Sequence, residues 1–329
     1  MATTKTVKPA GGGDFSTLQA WEDWASSQTS TAQWAECYSG GNLGTVDMYD
    51  WNDFPAAPDL PRIYAATGHR HTGLMGTGAY ISTASEGVIA INLQLPAEVI
   101  GIRFNLNNGC VGVYMQGDGF HTMSGIVVDS CLFEAQSGKN PDWGVFVEGA
   151  PSPGITGCTI RNCIMYPGMG TGIVIDPRSG GACTGIVVDN NTTAGAASGY
   201  GIWGRNQFGV SGGDLEATIR NNVCMNCFSA DFNLITIRST YTISNNMSSD
   251  ITAGGFGGTD NITNQPAAPV FVNTVSDLRL KRNSPALDKG VTIAGNTTDA
   301  LGVSRPQNNA YDMGAFEFYV KPIARTMMI

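Results

Sequence analysis

Apolar and polar positions alternate along the middle of this chain in a phrase that recurs without repeating letter for letter. An apolar residue, a polar one and then Ser or Asn form Val128-Asp129-Ser130, Ile160-Arg161-Asn162, Val188-Asp189-Asn190, Ile219-Arg220-Asn221 and Ile243-Ser244-Asn245. Phe104-Asn105 is expected to open the series, giving intervals of 24, 32, 28, 31 and 24 residues. A second series lies between these: Gly112-Val113-Tyr114-Met115, Gly144-Val145-Phe146-Val147, Gly172-Ile173-Val174-Ile175, Gly201-Ile202-Trp203-Gly204 and Leu234-Ile235-Thr236-Ile237. Two interleaved series with a period of roughly 20–50 residues predict a solenoid. Short β-branched runs broken by Gly and Asn make its coils from strands. The expected fold is all-β, a right-handed parallel β-helix.

Strand alternation assigns the faces of the second series. Val113, Val145, Ile173, Ile202 and Ile235 fall on one face with Met115, Val147, Ile175 and Ile237, so that face is the core. The opposite face carries Tyr114, Phe146, Val174, Trp203 and Thr236, with Gln116, Glu148, Asp176, Arg205 and Arg238 two positions on. In the first series the polar column reads Asn105, Asp129, Arg161, Asp189, Arg220 and Ser244. Its alternating signs predict an ion-pair ladder between coils. The next column, Ser130 with Asn162, Asn190, Asn221 and Asn245, predicts a repeated sharp corner, because Asn tolerates the left-handed region.

The ends differ from the middle. Ser16-Thr17-Leu18-Gln19 has capping-box form, and Leu18, Trp21 and Trp24 follow at helical spacing. A short helix here would close the open end of the solenoid, which otherwise exposes core and strand edge. The expected divisions are 1–35 for an N-terminal arm and capping helix, 36–262 for the coils, and 263–329 for an irregular closure and tail. Gly68-His69-Arg70-His71-Thr72-Gly73 reads as a solvated turn.

Composition narrows the function. The 329 residues hold 43 Gly and only 14% charged side chains, as tight turns and stacked coils require, and the net charge is −9. The longest basic run is Lys281-Arg282, so nucleic acid is not an expected partner. No stretch approaches the ~18 apolar residues of a membrane span, so no membrane partner is expected either. Met1-Ala2-Thr3-Thr4 leads into Pro and Gly with no apolar signal region, which predicts synthesis in the cytoplasm. The eight cysteines are then expected as free thiols, with Cys131 and Cys163 stacked on adjacent coils. Cys224-x-x-Cys227 has no second pair at zinc-site distance, and neither a metal nor a cofactor is expected.

Glu148 and Asp176 are the candidate catalytic residues. One strand spacing apart, near ~5 Å, they match the separation of a retaining glycosidase pair. Arg205 follows in the same column and competes for Asp176. The outward aromatic residues Tyr114, Phe146 and Trp203, with Trp143 before them, are candidates for a subunit interface or a glycan-binding groove. The tail residues Met327, Met328 and Ile329 are candidates for docking on a neighbouring subunit or particle surface.

Ser284-Pro285-Ala286-Leu287-Asp288-Lys289-Gly290, the Asp299-x-x-Gly302-x-x-Arg305-Pro306 pattern and Tyr311-Asp312-Met313-Gly314-Ala315-Phe316-Glu317-Phe318 resemble the closing segment of many bacterial and phage right-handed β-helix proteins. The opening from Thr6-Val7-Lys8-Pro9 to Ala20-Trp21 is similar to that of phage-encoded pectate-lyase-like chains. The resemblance implies a phage virion structural protein, a capsid decoration or short tailspike. Such a protein would be made in the host cytoplasm and located in the virion. Its partners would be further copies of itself, other virion proteins and, as a further ligand, a surface glycan. The resemblance maps no catalytic motif. The alternatives are a polysaccharide-degrading enzyme, hydrolase or lyase, and a bacterial surface adhesin.

Overall fold

A computed structural model describes residues 2–28, 31–49, 51, 60–117, 123–149, 154–178, 181–206 and 213–319. It is a parallel β-solenoid with three faces. The first sheet has ten strands, running from Thr3–Val7 to Ser239–Ser244; the second and third have seven each. Every pairing within these three sheets is parallel, and a short antiparallel pair, Phe271–Asn273 with Asp277–Leu280, follows them.

The first sheet has the register that the phrase predicts. Asp129 pairs with Arg161, Arg161 with Asp189, Asp189 with Arg220, and Arg220 with Ser244. Arg161 Nε lies 2.9 Å from Asp129, and Arg220 grips both oxygens of Asp189 at 3.0 and 2.7 Å. The opening of the series requires a correction. Asp129 pairs on its other side with Ile100, so Val99-Ile100 precedes Val128-Asp129 in the column, and Ile63-Tyr64 precedes Val99-Ile100. Phe104-Asn105 belongs to the second sheet, beside Phe133-Glu134. Phe104 and Phe133 stack in the core at 4.7 Å, a contact that an apolar–polar count does not distinguish from Val on Val.

The corner is left-handed in five successive coils: φ is 55° at Ser130, 54° at Asn162 and Asn190, 56° at Asn221 and 55° at Asn245. The position after it carries a second amide stack. Asn191 Nδ2 donates to Asn222 Oδ1 (3.0 Å), and Asn222 Nδ2 to Asn246 Oδ1 (2.9 Å). The same oxygens accept the backbone N–H of Asn191 and Asn222 at 2.9 Å. All three amides are buried, so this ladder satisfies polar groups that would otherwise cost about 1–3 kcal/mol apiece.

In the third sheet Val113, Val145, Ile173 and Ile202 stack fully buried, as expected. The Gly before each allows the close approach between coils: a Cβ on Gly144 would stand 2.7 Å from Gly172 O, and one on Gly172 2.5 Å from Gly201 O. The fifth member requires a second correction. Ile202 pairs with Phe232, an interval of 30 residues, not with Ile235 at 33. Ile235 is half-buried, Ile237 is 47% exposed, and Thr236 and Arg238 lie outside the outward column. Leu234-Ile235-Thr236-Ile237 imitates a core strand, but Asp231-Phe232-Asn233-Leu234 places the larger ring and Leu234 inside.

The helix, Leu18–Ala25, is capped by Thr17, whose hydroxyl accepts from Ala20 N (3.2 Å); Thr17 therefore caps in place of Ser16. Leu18, Trp21 and Ala25 enter the core. Strand Thr3–Val7 precedes the helix and pairs with Gln33–Cys37, so the segment 1–35 supplies a strand of the first sheet as well as the cap. His71 departs from the solvated turn expected of it. It is buried, with Nε2 2.6 Å from Ser130 O, and Gly73 N donates to its Nδ1 at 3.2 Å.

The C-terminal segment does more than end the rod. It turns back and covers the outer face of the second sheet, where Leu132, Ile164, Val223 and Met247 meet Phe271, Leu278, Ala286, Met313 and Phe316. The corner amides hold it: Asn190 Nδ2 donates to Asp312 O and Gly314 O, Asn221 Nδ2 to Val291 O, and Asn245 Nδ2 to Lys289 O. Gly314 (φ +92°) sits so close that a Cβ would stand 2.7 Å from Thr192 Oγ1. Arg305 and Glu317 form a buried pair at 2.6 Å, and Asp299 accepts the N–H groups of Leu301, Val303 and Glu317. The residues of the closing motif thus make the internal bonds of this segment.

Candidate functional site

The outward face of the third sheet assembles the side chains singled out from the sequence. Tyr114, Phe146, Val174 and Trp203 occupy one column. The Tyr114 and Phe146 rings stack at 5.2 Å, and Trp143 leans on Phe146 at 4.4 Å. The column is mostly covered: Phe146 and Val174 are buried, and Tyr114, Trp143 and Trp203 are half-buried.

Glu148 and Asp176 pair directly across adjacent strands, as expected. They are not presented to solvent, being 6% and 0% exposed. Arg178 Nε donates to Asp176 Oδ2 at 2.7 Å, and Arg205 Nε reaches the same oxygen at 2.6 Å. Arg178 Nη1 also lies 3.3 Å from Glu148 Oε2, which accepts the Tyr114 hydroxyl at 2.7 Å. Burial, and then this hydrogen bond to Glu148, push the Tyr114 phenol well above its usual range.

The guanidinium groups join the two columns. Arg205 lies over Trp203 at 4.8 Å, Trp143 at 5.4 Å and Phe146 at 5.5 Å; Arg178 lies over Phe146 at 5.2 Å. Such contacts strengthen when the cation is desolvated. Two donors, Arg205 Nη2 and Trp203 Nε1, are buried without a hydrogen-bond partner. Arg178 was missed from sequence. Its signal is the Asp176-Pro177-Arg178 spacing: Pro177 ends the strand, and the chain returns Arg178 over the carboxylate two residues before it.

A glycosidase pair needs one carboxyl to protonate a leaving group and another to attack or activate water. Here the two share a network of arginine and tyrosine donors beneath aromatic rings. That arrangement suits neutralisation of charge on a covered face. Among the described residues no group of three or more His, Cys, Asp or Glu is arranged to hold a metal ion. Met327, Met328 and Ile329 lie outside the described residues. No family model matches the chain, and no curated protein matches it.

Proposed function

We propose that this chain is a non-catalytic structural solenoid, a virion component displayed on a phage particle, the role that its two end motifs resemble. The observation that supports a structural role over glycan cleavage is the arginine clamp on Glu148 and Asp176. A rod whose coils are tied by amide ladders, with its C-terminal segment strapped along one face, suits a component that must keep its shape on an exposed surface. The particle assignment itself rests on the resemblance.

Two measurements test the reading. Immunogold labelling of intact particles from the native source should place the chain on their surface; unlabelled particles sink the virion assignment. Incubation with a panel of acidic and neutral polysaccharides should release neither new reducing ends nor unsaturated uronates. Release that disappears in Glu148→Gln or Asp176→Asn would establish the enzyme instead.

A further inference from the structure

We propose that His71 is an acid-operated latch: when its imidazole takes up a proton, segment 68–78 opens and frees the edge of the C-terminal segment that rests on Gly73. The contacts of the ring fix one protonation state. Gly73 N can only donate, so Nδ1 is the bare nitrogen, and Nε2 carries the hydrogen given to Ser130 O at 2.6 Å. The ring is buried, and a proton on Nδ1 would face the Gly73 N–H in place of a lone pair. The segment held in this way also supports the C-terminal segment. The Tyr166 hydroxyl donates to Gly73 O at 2.6 Å. Gly73 has φ +80°, and a Cβ there would stand 2.9 Å from the Phe316 ring and 3.4 Å from Leu301. Loss of the His71–Gly73 bond therefore disturbs the surface on which Leu301 and Phe316 sit.

The charges around the ring do not offset a second one. Arg70 on the same segment and Arg103 on strand Arg103–Leu106 both oppose it. Glu134 is taken by Arg103 and by Gly76 N, and Asp129, beside Ser130, by Arg161. His69, also on the segment, is bonded to Ser39 at 2.7 Å. Acid therefore acts through opening, because the freed imidazole regains its ordinary pKa of 6.5, against about 4 in the closed segment. By linkage the opening constant rises roughly 50–100-fold between pH 7.5 and 4.5. The carboxylates of the C-terminal segment pull the other way. Burial raises the pKa of Asp299, Asp312 and Glu317, so falling pH favours their buried state. Release on acidification is thus assigned to the histidine. The latch does not depend on the particle role proposed above.

Hydrogen exchange of the full chain, read by mass spectrometry from pH 7.5 to 4.5 and corrected for the intrinsic rate, tests the latch. Peptides covering 70–78 should lose protection roughly 50–100-fold. Peptides covering 299–303 and 314–318 should lose protection with them, while strands Trp143–Glu148 and Thr171–Asp176 keep theirs. Between pH 6 and 4.5 the opening constant of 70–78 should rise about tenfold per pH unit, the mark of a single proton and a readout that needs no variant. In His71→Gln, which keeps His69, these peptides should show no such rise. Unchanged exchange in the parent chain, the same rise in His71→Gln, opening of 70–78 without 299–303 and 314–318, or simultaneous loss in the two strands would each overturn the proposal.

Discussion

Asn296 Nδ2 donates to Asn190 Oδ1 at 3.1 Å across 106 residues of chain, and both side chains are buried. Asn296 Oδ1 in turn accepts from Asn162 Nδ2 at 2.9 Å. One amide of the C-terminal segment thus bridges the corners of two successive coils. Asn296→Ala leaves one N–H of Asn162 without its buried acceptor, at roughly 1–3 kcal/mol, while Asn190 Oδ1 keeps the Asn221 amide as a donor. Urea denaturation should show that loss. A change under 0.5 kcal/mol, the range of an ordinary surface substitution, would mean that the strap is not held by these bonds.

The register at the C-terminal end of the third sheet separates two neighbouring apolar residues. Phe232→Ala should cost about 3–5 kcal/mol, as for other buried aromatic truncations. Ile235→Ala, at a half-buried site, should cost less than half as much. Equal losses in thermal denaturation would restore the register in which Ile235 faces the core.

Asp176 is buried against two guanidinium groups. Asp176→Ala removes their common counter-charge and should destabilise the fold by about 3–5 kcal/mol, the cost of breaking a buried ion pair from one side. The measurement is a denaturant midpoint. A neutral outcome would show that Arg178 and Arg205 find solvent or other partners, and would weaken the case against a catalytic role.

His71 supplies a pH dependence. Burial lowers its pKa from 6.5 to about 4 in the folded chain. The folded chain therefore excludes a proton that the unfolded chain binds between about pH 4 and 6.5. This contribution to stability is complete above pH 6.5 and is lost as pH falls through that window, by about 3 kcal/mol at most. The charged neighbours Arg70 and Arg103 act in the same direction. Melting temperature measured from pH 7.5 to 4.5 should fall less steeply in His71→Gln than in the parent chain. Parallel curves would rule out this histidine as a source of the pH dependence.

All eight cysteines are free, and seven of them are buried. Burial raises the thiol pKa of Cys37, Cys158, Cys163, Cys183 and Cys224, which suppresses the reactive thiolate. A thiol reagent should label the native chain at Cys227 at most, and all eight positions after denaturation. Rapid labelling of several thiols in the native state would contradict the packing of these coils.

The amino-acid sequence by itself determined the features that repeat. The period, the inward stack through Val145 and Ile173, the Asp129–Arg161 and Asp189–Arg220 ladders and the corner at Asn162 and Asn190 were legible because each coil meets only its neighbours. One-dimensional stacking turns a spatial column into a sequence interval. Glu148 beside Asp176 was legible for the same reason. What the tertiary structure decided lies outside that periodicity. Arg178 returns over Asp176 by a local reversal after Pro177. Phe232 displaces Ile235 because the fit of a ring among buried neighbours, not apolarity alone, selects the register. The course of the C-terminal segment was out of reach because its partners, such as Asn162 and Asn190, are set by surface complementarity between distant parts of the chain. The outward apolar residues Leu132, Ile164, Val223 and Met247 carried a trace of it. They needed a cover, and only the folded chain identified residues 263–319 as that cover.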